Sequence, residues 1–179
     1  MKLLFASDIH GSLFYCQKLL EAFDAEKADK LILLGDLLYH GPRNPLPEKY
    51  APAEVASLLN QRKEQIIAVQ GNCDSAVDQM VLEFPITAPN LLLFLGHRTI
   101  FVTHGHVFSP QTPPLLQRGD ILINGHFHLG EITEKDPYIY MNPGSVSLPK
   151  DHFRGYLLYQ DETFFLKTLS GEVKEEYKL

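Results

Sequence analysis

The sequence predicts an α/β fold of two packed sheets with helices on the outside. Three observations carry this reading. In the first half of the chain, short apolar runs of strand length alternate with segments of helical periodicity. From Leu91 onward, strand-like runs follow one another with no comparable helix between them. Five of the runs also end in the same way, beside a glycine and one or more Asp, Asn or His residues.

The elements follow in order. A strand over Lys2 to Ala6 leads to a helix near Ser12 to Lys27, with Ser12 as N-cap. Leu13, Cys16, Leu19, Leu20 and Phe23 recur at helical spacing and face the sheet. A strand over Lys30 to Leu34 comes next. Pro42, Pro45, Pro47 and Pro52 make His40 to Pro52 a long ordered loop. A helix near Ala53 to Glu64 precedes a strand over Gln65 to Val69, and a short helix follows Asp74. The later strands are Leu91 to Leu95, Arg98 to Thr103, Ile121 to Asn124, Glu131 to Glu134 and Tyr138 to Met141. Gly96 and His97 form a hairpin turn between the first two. Gly155 to Gln160 and Thr163 to Leu169 flank the turn Asp161-Glu162. Residues 1–179 are read as one domain.

The five run endings are Asp8-Ile9-His10-Gly11, Gly35-Asp36, Gly71-Asn72-Cys73-Asp74, Thr103-His104-Gly105-His106 and Gly125-His126-Phe127-His128. In α/β sheets, ligands bind in the crevice outside the carboxyl ends of the strands. Five strands that deliver carboxylate, amide or imidazole there describe one site. Mixed oxygen and imidazole donors suit manganese, iron or zinc better than calcium or a thiolate zinc site. Read as extended chain, Asp8-x-His10 and His126-x-His128 each put two side chains on one side, because alternate residues face the same way. A shared carboxylate such as Asp36 allows two ions, the arrangement of phosphatases and nucleases.

The ordered set D-x-H, G-D, G-N-x-[DE], T-H-G-H and G-H-x-H resembles the calcineurin-like metallophosphoesterases. The small size, Asn142-Pro143-Gly144-Ser145 and Cys73 resemble their compact phosphodiesterase subfamily. The resemblance runs from Met1 to about Pro149 and implies a four-layer α/β/β/α sandwich of two mixed sheets flanked by helices. It assigns Asp8, His10, Asp36 and His128 to one metal. It assigns Asp36, Asn72, His104 and His126 to the other, with Asp36 bridging. Two divalent ions are implied, manganese first, with zinc, iron, nickel or cobalt as alternatives. Their bridging hydroxide would attack a small phosphodiester substrate in line, with Asn72 and Arg43 stabilising the phosphoryl oxygens. Alternative readings are a phosphomonoesterase with the same centre and a metal-binding scaffold for a partner protein. Many members carry His where this chain has Cys73. A thiol is a poor general acid unless its environment shifts it, so either His106 or a metal-bound water replaces it, or an activated ester needs no acid.

Other residues have plainer readings. Arg43 either holds a phosphate oxygen or is a solvated loop residue. His106 either lines the site or caps its loop. Asn142 to Ser145 is a turn or a site wall, and Cys73 a small packed residue beside Asn72. His40, His97 and His152 read as surface residues.

Hydrophobic content of 45% is that of an ordinary globular chain. A net charge of −6 argues against a general nucleic-acid surface, but not against small phosphodiesters, because metal ions supply local positive charge. No apolar run approaches the ~20 residues that span a bilayer. Met1-Lys2 leads straight into the first strand, so no signal peptide is expected. A cytoplasmic setting with Cys16 and Cys73 reduced follows. A homo-oligomer is left open.

Overall fold

The computed structural model describes residues 1–179 and contains eleven strands in two sheets. In chain order they are β1 (Leu3–Ala6), β2 (Lys30–Leu33), β3 (Ile66–Ala68), β4 (Asn90–Leu95), β5 (Arg98–Thr103), β6 (Ile121–Asn124), β7 (Gly130–Glu134), β8 (Ile139–Pro143), β9 (Gly155–Gln160), β10 (Thr163–Thr168) and β11 (Val173–Lys178). The helices are α1 (Leu13–Glu26), α2 (Pro52–Asn60) and α3 (Ala76–Val81), with a 3-10 turn at Lys63–Gln65.

The first sheet has the order β11-β10-β9-β1-β2-β3 and the second β4-β5-β6-β8-β7. Both are mixed. β1, β2 and β3 run parallel, and β9 and β10 add antiparallel. β5, β6 and β8 run parallel between the antiparallel edges β4 and β7. The C-termini of β1, β2 and β3 in the first sheet and of β5, β6 and β8 in the second thereby open on one end of the sandwich.

The central strands are buried on both faces, so they appear in sequence as continuous apolar runs rather than alternating ones. Along β1, Leu4 and Ala6 face the helices, while Leu3 and Phe5 face the second sheet. Between the sheets, Phe5, Ile32 and Phe164 meet Val102, Ile121, Ile123 and Met141. On the helix side, Cys16, Leu19 and Phe23 of α1 and Val55 and Leu59 of α2 pack on Leu31 and Leu33. The outer face of the second sheet is covered by coil, which lays Leu116 beside Leu122 and Tyr140. No helix is long and apolar enough to cross a membrane.

The caps explain the helix limits. Ser12 accepts from the Tyr15 amide at the start of α1, and Lys27 ends it in a left-handed conformation. Proline opens α2 at its first position. That helix stops at Asn60, short of the predicted Glu64, and a 3-10 turn completes the connection. Strand β11 lies outside the predicted set. Its sequence, VKEEYK, is charged and mostly exposed, as suits a sheet edge. His40 is half-buried rather than a surface residue, because its ring stacks edge-on against Tyr39 and Tyr50. His97 and His152 are exposed.

Candidate metal centre

The strands β1, β2, β3, β5 and β6 end beside one cleft, and each is followed by a residue of the expected set. Asp8, His10, Asp36, His104 and His128 are buried, His126 is half-buried and Asn72 is exposed. One group brings Asp8, His10 and His128 together: Asp8 Oδ1 lies 3.1 Å from His128 Nε2 and 3.5 Å from His10 Nε2. A second group surrounds His104 Nε2, which lies 3.0 Å from Asn72 Oδ1, 3.2 Å from His126 Nδ1 and 3.5 Å from Asp36 Oδ2. Asp36 Oδ2 is also 3.8 Å from His10 Nε2, so this one oxygen faces both groups.

The side chains do not converge in the way alternation along a strand would place them. Asp8 (φ 60°), His10 (φ 50°), Asp36 (φ 55°), His126 (φ 65°) and His128 (φ 62°) are all left-handed. The chain has left its strand before each of them, and a tight turn aims the side chain. Non-glycine residues adopt this conformation rarely, Asp, Asn and His most often among them. Such residues cluster where surrounding structure over-determines them.

Glycines allow the loops to close on one another. A Cβ on Gly125 would stand 1.8 Å from Ser7 Oγ and 2.7 Å from Asp8 Oδ2. One on Gly71 would stand 2.2 Å from Asp36 Oδ1. Both positions bring backbone against the side-chain or loop of a neighbouring strand, where no larger residue fits.

The donor set fits a cation. Backbone carbonyls accept from three imidazole Nδ1 atoms: Tyr39 O from His10 (2.9 Å), Leu34 O from His104 (2.7 Å) and Leu148 O from His128 (2.6 Å). A carbonyl oxygen can only accept, so Nδ1 carries the proton in each ring. In the neutral ring, Nε2 then presents a lone pair. Yet His10 Nε2 and His128 Nε2 face each other at 3.3 Å, and His104 Nε2 faces carboxylate and amide oxygens. Acceptors crowded on acceptors need a positive charge between them. Pinning of the far nitrogen by a carbonyl is also the usual support of a metal-bound histidine.

In the metal-free chain, protons meet part of this need. Burial opposes charge on His104, but Asp36 and Asp8 outweigh it and raise its pKa to about 9. Burial is likewise outweighed at His10, where Asp8 raises the pKa. Burial would raise Asp8, yet His10 and His128 hold its carboxyl well below the usual range.

Asp74, the last residue of Gly71-Asn72-Cys73-Asp74, does not face the cleft as a ligand. Its buried carboxylate accepts the backbone N–H groups of Asp36 (2.9 Å), Leu37 (2.9 Å) and Gly71 (2.7 Å). It therefore ties the loop after β2 to the loop after β3. Asn142 to Ser147 stands behind the cleft. Asn142 Nδ2 donates to Gly125 O, and Ser145 and Ser147 both donate to Asp8 O. This segment braces the loops of Asp8 and Gly125 from the core side.

The cleft itself encloses about 340 Å³. Asp36, Asn72, Cys73, His126 and His128 line it, together with Arg43. Lys150 lines it too and escaped the sequence reading; its amide donates to His128 O at 2.9 Å. His106 is exposed and stands off the cleft wall, its ring centroid 5.4 Å from that of His104. Burial, then the charge of His104, lowers its pKa. Burial, then Asp36, pushes the Cys73 thiol up to about 12, so it stays protonated near neutral pH and is a weak acid.

A two-sheet sandwich with carboxylate, amide and imidazole groups gathered at its strand ends defines a metal-dependent phosphoester hydrolase. The chain belongs to the calcineurin-like phosphoesterase superfamily, whose domain model matches residues 1–163. It is 53% identical over 150 residues to phosphodiesterase YfcE of Escherichia coli K12, covering 84% of this chain and 82% of that protein. The solved structure of that E. coli phosphoesterase superposes with a TM-score of 0.95 at 45% identity, over 99% of this chain and 98% of the other. The probable metallophosphoesterase YsnB of Bacillus subtilis is 30% identical over 157 residues, covering 84% of this chain and 78% of YsnB. Vacuolar protein sorting 29 of Cryptosporidium parvum shares the fold, with a TM-score of 0.63 at 17% identity over 99% of this chain and 98% of that one.

Proposed function

We propose that residues 1–179 form one phosphodiesterase domain whose cleft holds two divalent ions, with Asp36 shared between them. The observation that carries this is the position of Asp36 Oδ2, between His10 Nε2 at 3.8 Å and His104 Nε2 at 3.5 Å. Asp8, His10 and His128 complete one ligand group, and Asn72, His104 and His126 the other. Bound ions would supply a bridging hydroxide nucleophile and offset charge that develops on the phosphoryl oxygens.

The residues have distinct tasks. Cys73 N–H donates to Asp36 Oδ1 at 2.8 Å and leaves Oδ2 free to face both groups. His126 N–H holds Asp8 Oδ2 at 3.0 Å, so Asp8 Oδ1 faces His10 and His128. Asn72 stands at the open side of the cleft, where its amide meets a phosphoryl oxygen. Arg43 supplies a cation to the same cleft, able to pair two oxygens. His106, at the rim, is placed to act through a water on the leaving group rather than directly. Manganese is the first choice of ion, because the donors are oxygen and imidazole with no required thiolate.

Turnover of bis(p-nitrophenyl) phosphate with added manganese is expected to exceed that of p-nitrophenyl phosphate, and chelation should abolish both. A monoester preference would overturn the diester reading. Activity that survives exhaustive chelation would overturn the metal centre.

Metal binding should also depend on pH. An ion must take the Nε2 lone pair that a proton otherwise holds, and His104 in the metal-free chain titrates at about 9. Below that pH the ring is protonated, so protons compete increasingly as pH falls. Apparent manganese affinity between pH 8 and 6 should drop by about tenfold per unit for each proton displaced. A titration that gives one dissociation constant across this range would contradict the ligand assignment.

A further inference from the structure

A second cavity adjoins the cleft. It is an apolar groove of about 910 Å³ between α2 and α3, and Cys73 lines both spaces. The Cys73 sulfur lies within 4.8 Å of the ligand atoms of His10 and Asp36. The groove therefore begins one side chain away from the proposed metal position. Its near wall is Leu38 and Tyr39, directly after the Asp36 turn, and Tyr39 O is the carbonyl that holds His10.

The groove is apolar and open. Tyr39 is 41% exposed, Val77 67% and Val81 50%, all on its walls. Exposed apolar surface gathered at one place marks a binding site more often than chance scatter does. The two carboxylates and the Asn60 amide on its rim are already engaged. Asp78 accepts from Ser75 in a capping box, and Glu83 pairs with Lys63. Asn60 donates to Val81 O and accepts from the Glu83 amide. The rim thus offers no free carboxylate to recognise a charged group, and the Gln61 side chain at the end of α2 is its one unengaged amide.

We infer that this groove is the subsite for a neutral, apolar ester substituent, aryl or alkyl, of the phosphodiester. The inference rests on the proposed diesterase reading and extends it to substrate class. The phosphate stays in the polar cleft beside Arg43, and one alcohol portion crosses Cys73 into the space between α2 and α3. Gly41 permits that crossing: a Cβ there would lie 3.2 Å from the Cys73 sulfur and 3.3 Å from Asn44 Nδ2.

The test uses the manganese-loaded protein and two monoanionic probes, methyl methylphosphonate and methyl benzylphosphonate, whose one ester bond is cleaved slowly because methoxide is a poor leaving group. Calorimetry gives their dissociation constants. Burial of the phenyl ring should make the benzyl probe bind about tenfold tighter or better. Ala53→Trp and Ser57→Trp each place bulk in the groove from an exposed position of α2. Either should bring the ratio close to one and leave methyl methylphosphonate binding unchanged. A ratio near one in the parent, or a ratio that neither variant alters, overturns the subsite. The parent measurement stands even if a variant misfolds. Hydrolysis of methyl p-nitrophenyl phosphate is assayed alongside. Its absence would defeat the diesterase reading, whereas its presence with no benzyl preference would defeat only the groove.

Discussion

Asp36→Asn is expected to lower phosphodiester turnover by on the order of 10³-fold. The change keeps the shape of the side chain and removes one negative charge. It also places an amide N–H₂ or a neutral oxygen where Oδ2 now faces His10 and His104. Cys73 N–H favours an oxygen at Oδ1, which directs the amide nitrogen to the Oδ2 position. There it would donate to the imidazole lone pairs and stand where a cation belongs. Metal content per chain should fall together with turnover. Elemental analysis and a diester assay on the same preparation decide the matter. Parent-rate hydrolysis with full metal content would show that Asp36 is not shared.

Asp74→Ala should give the largest loss of stability outside the core. Three buried backbone N–H groups, from Asp36, Leu37 and Gly71, would lose their acceptor at once. An unsatisfied buried donor costs about 1–3 kcal/mol, so the sum is about 3 kcal/mol or more. For a chain of this size that corresponds to a fall in Tm of about 10 °C. Asp74→Asn retains one acceptor oxygen and should fall between alanine and the parent. Activity should drop in both variants, since the loop that carries Asp36 loses its tie to β3. A Tm within about 2 °C of the parent for Asp74→Ala would mean that water replaces the carboxylate.

The sequence displays the sheet architecture because the central strands are buried on both faces. Leu31 to Leu34 and Ile121 to Ile123 must be apolar at every position, and that leaves an unbroken run. The candidate ligands are legible for a related reason: each stands a few residues beyond the end of such a run. Their backbone conformation is not. Nothing local in Asp8-Ile9-His10 distinguishes a left-handed turn from an extended strand end, and alternation along the chain gave the wrong backbone geometry. Asp74 shows a different limit. Its bond to Gly71 is local, but those to Asp36 and Leu37 cross about 38 positions and depend on the pairing of β2 with β3. Strand β11 is hidden because an edge with charge on it lacks the apolar signal that marks its neighbours. His40 reads as exposed because the two tyrosines that enclose it come from separate parts of one long loop.

The left-handed residues set heat resistance against chemistry. Asp8, His10, Asp36, His126 and His128 each hold a conformation that costs an L-residue roughly 1–2 kcal/mol, which sums to at least about 5 kcal/mol. That is comparable to the whole margin by which a typical domain stays folded, about 5–15 kcal/mol. Glycine at those five places would relieve the backbone and remove both carboxylates and every imidazole of the proposed centre except His104. The stability that offsets this strain comes from elsewhere: the two-sided core between the sheets holds one end of the sandwich in a conformation that its backbone alone would not choose.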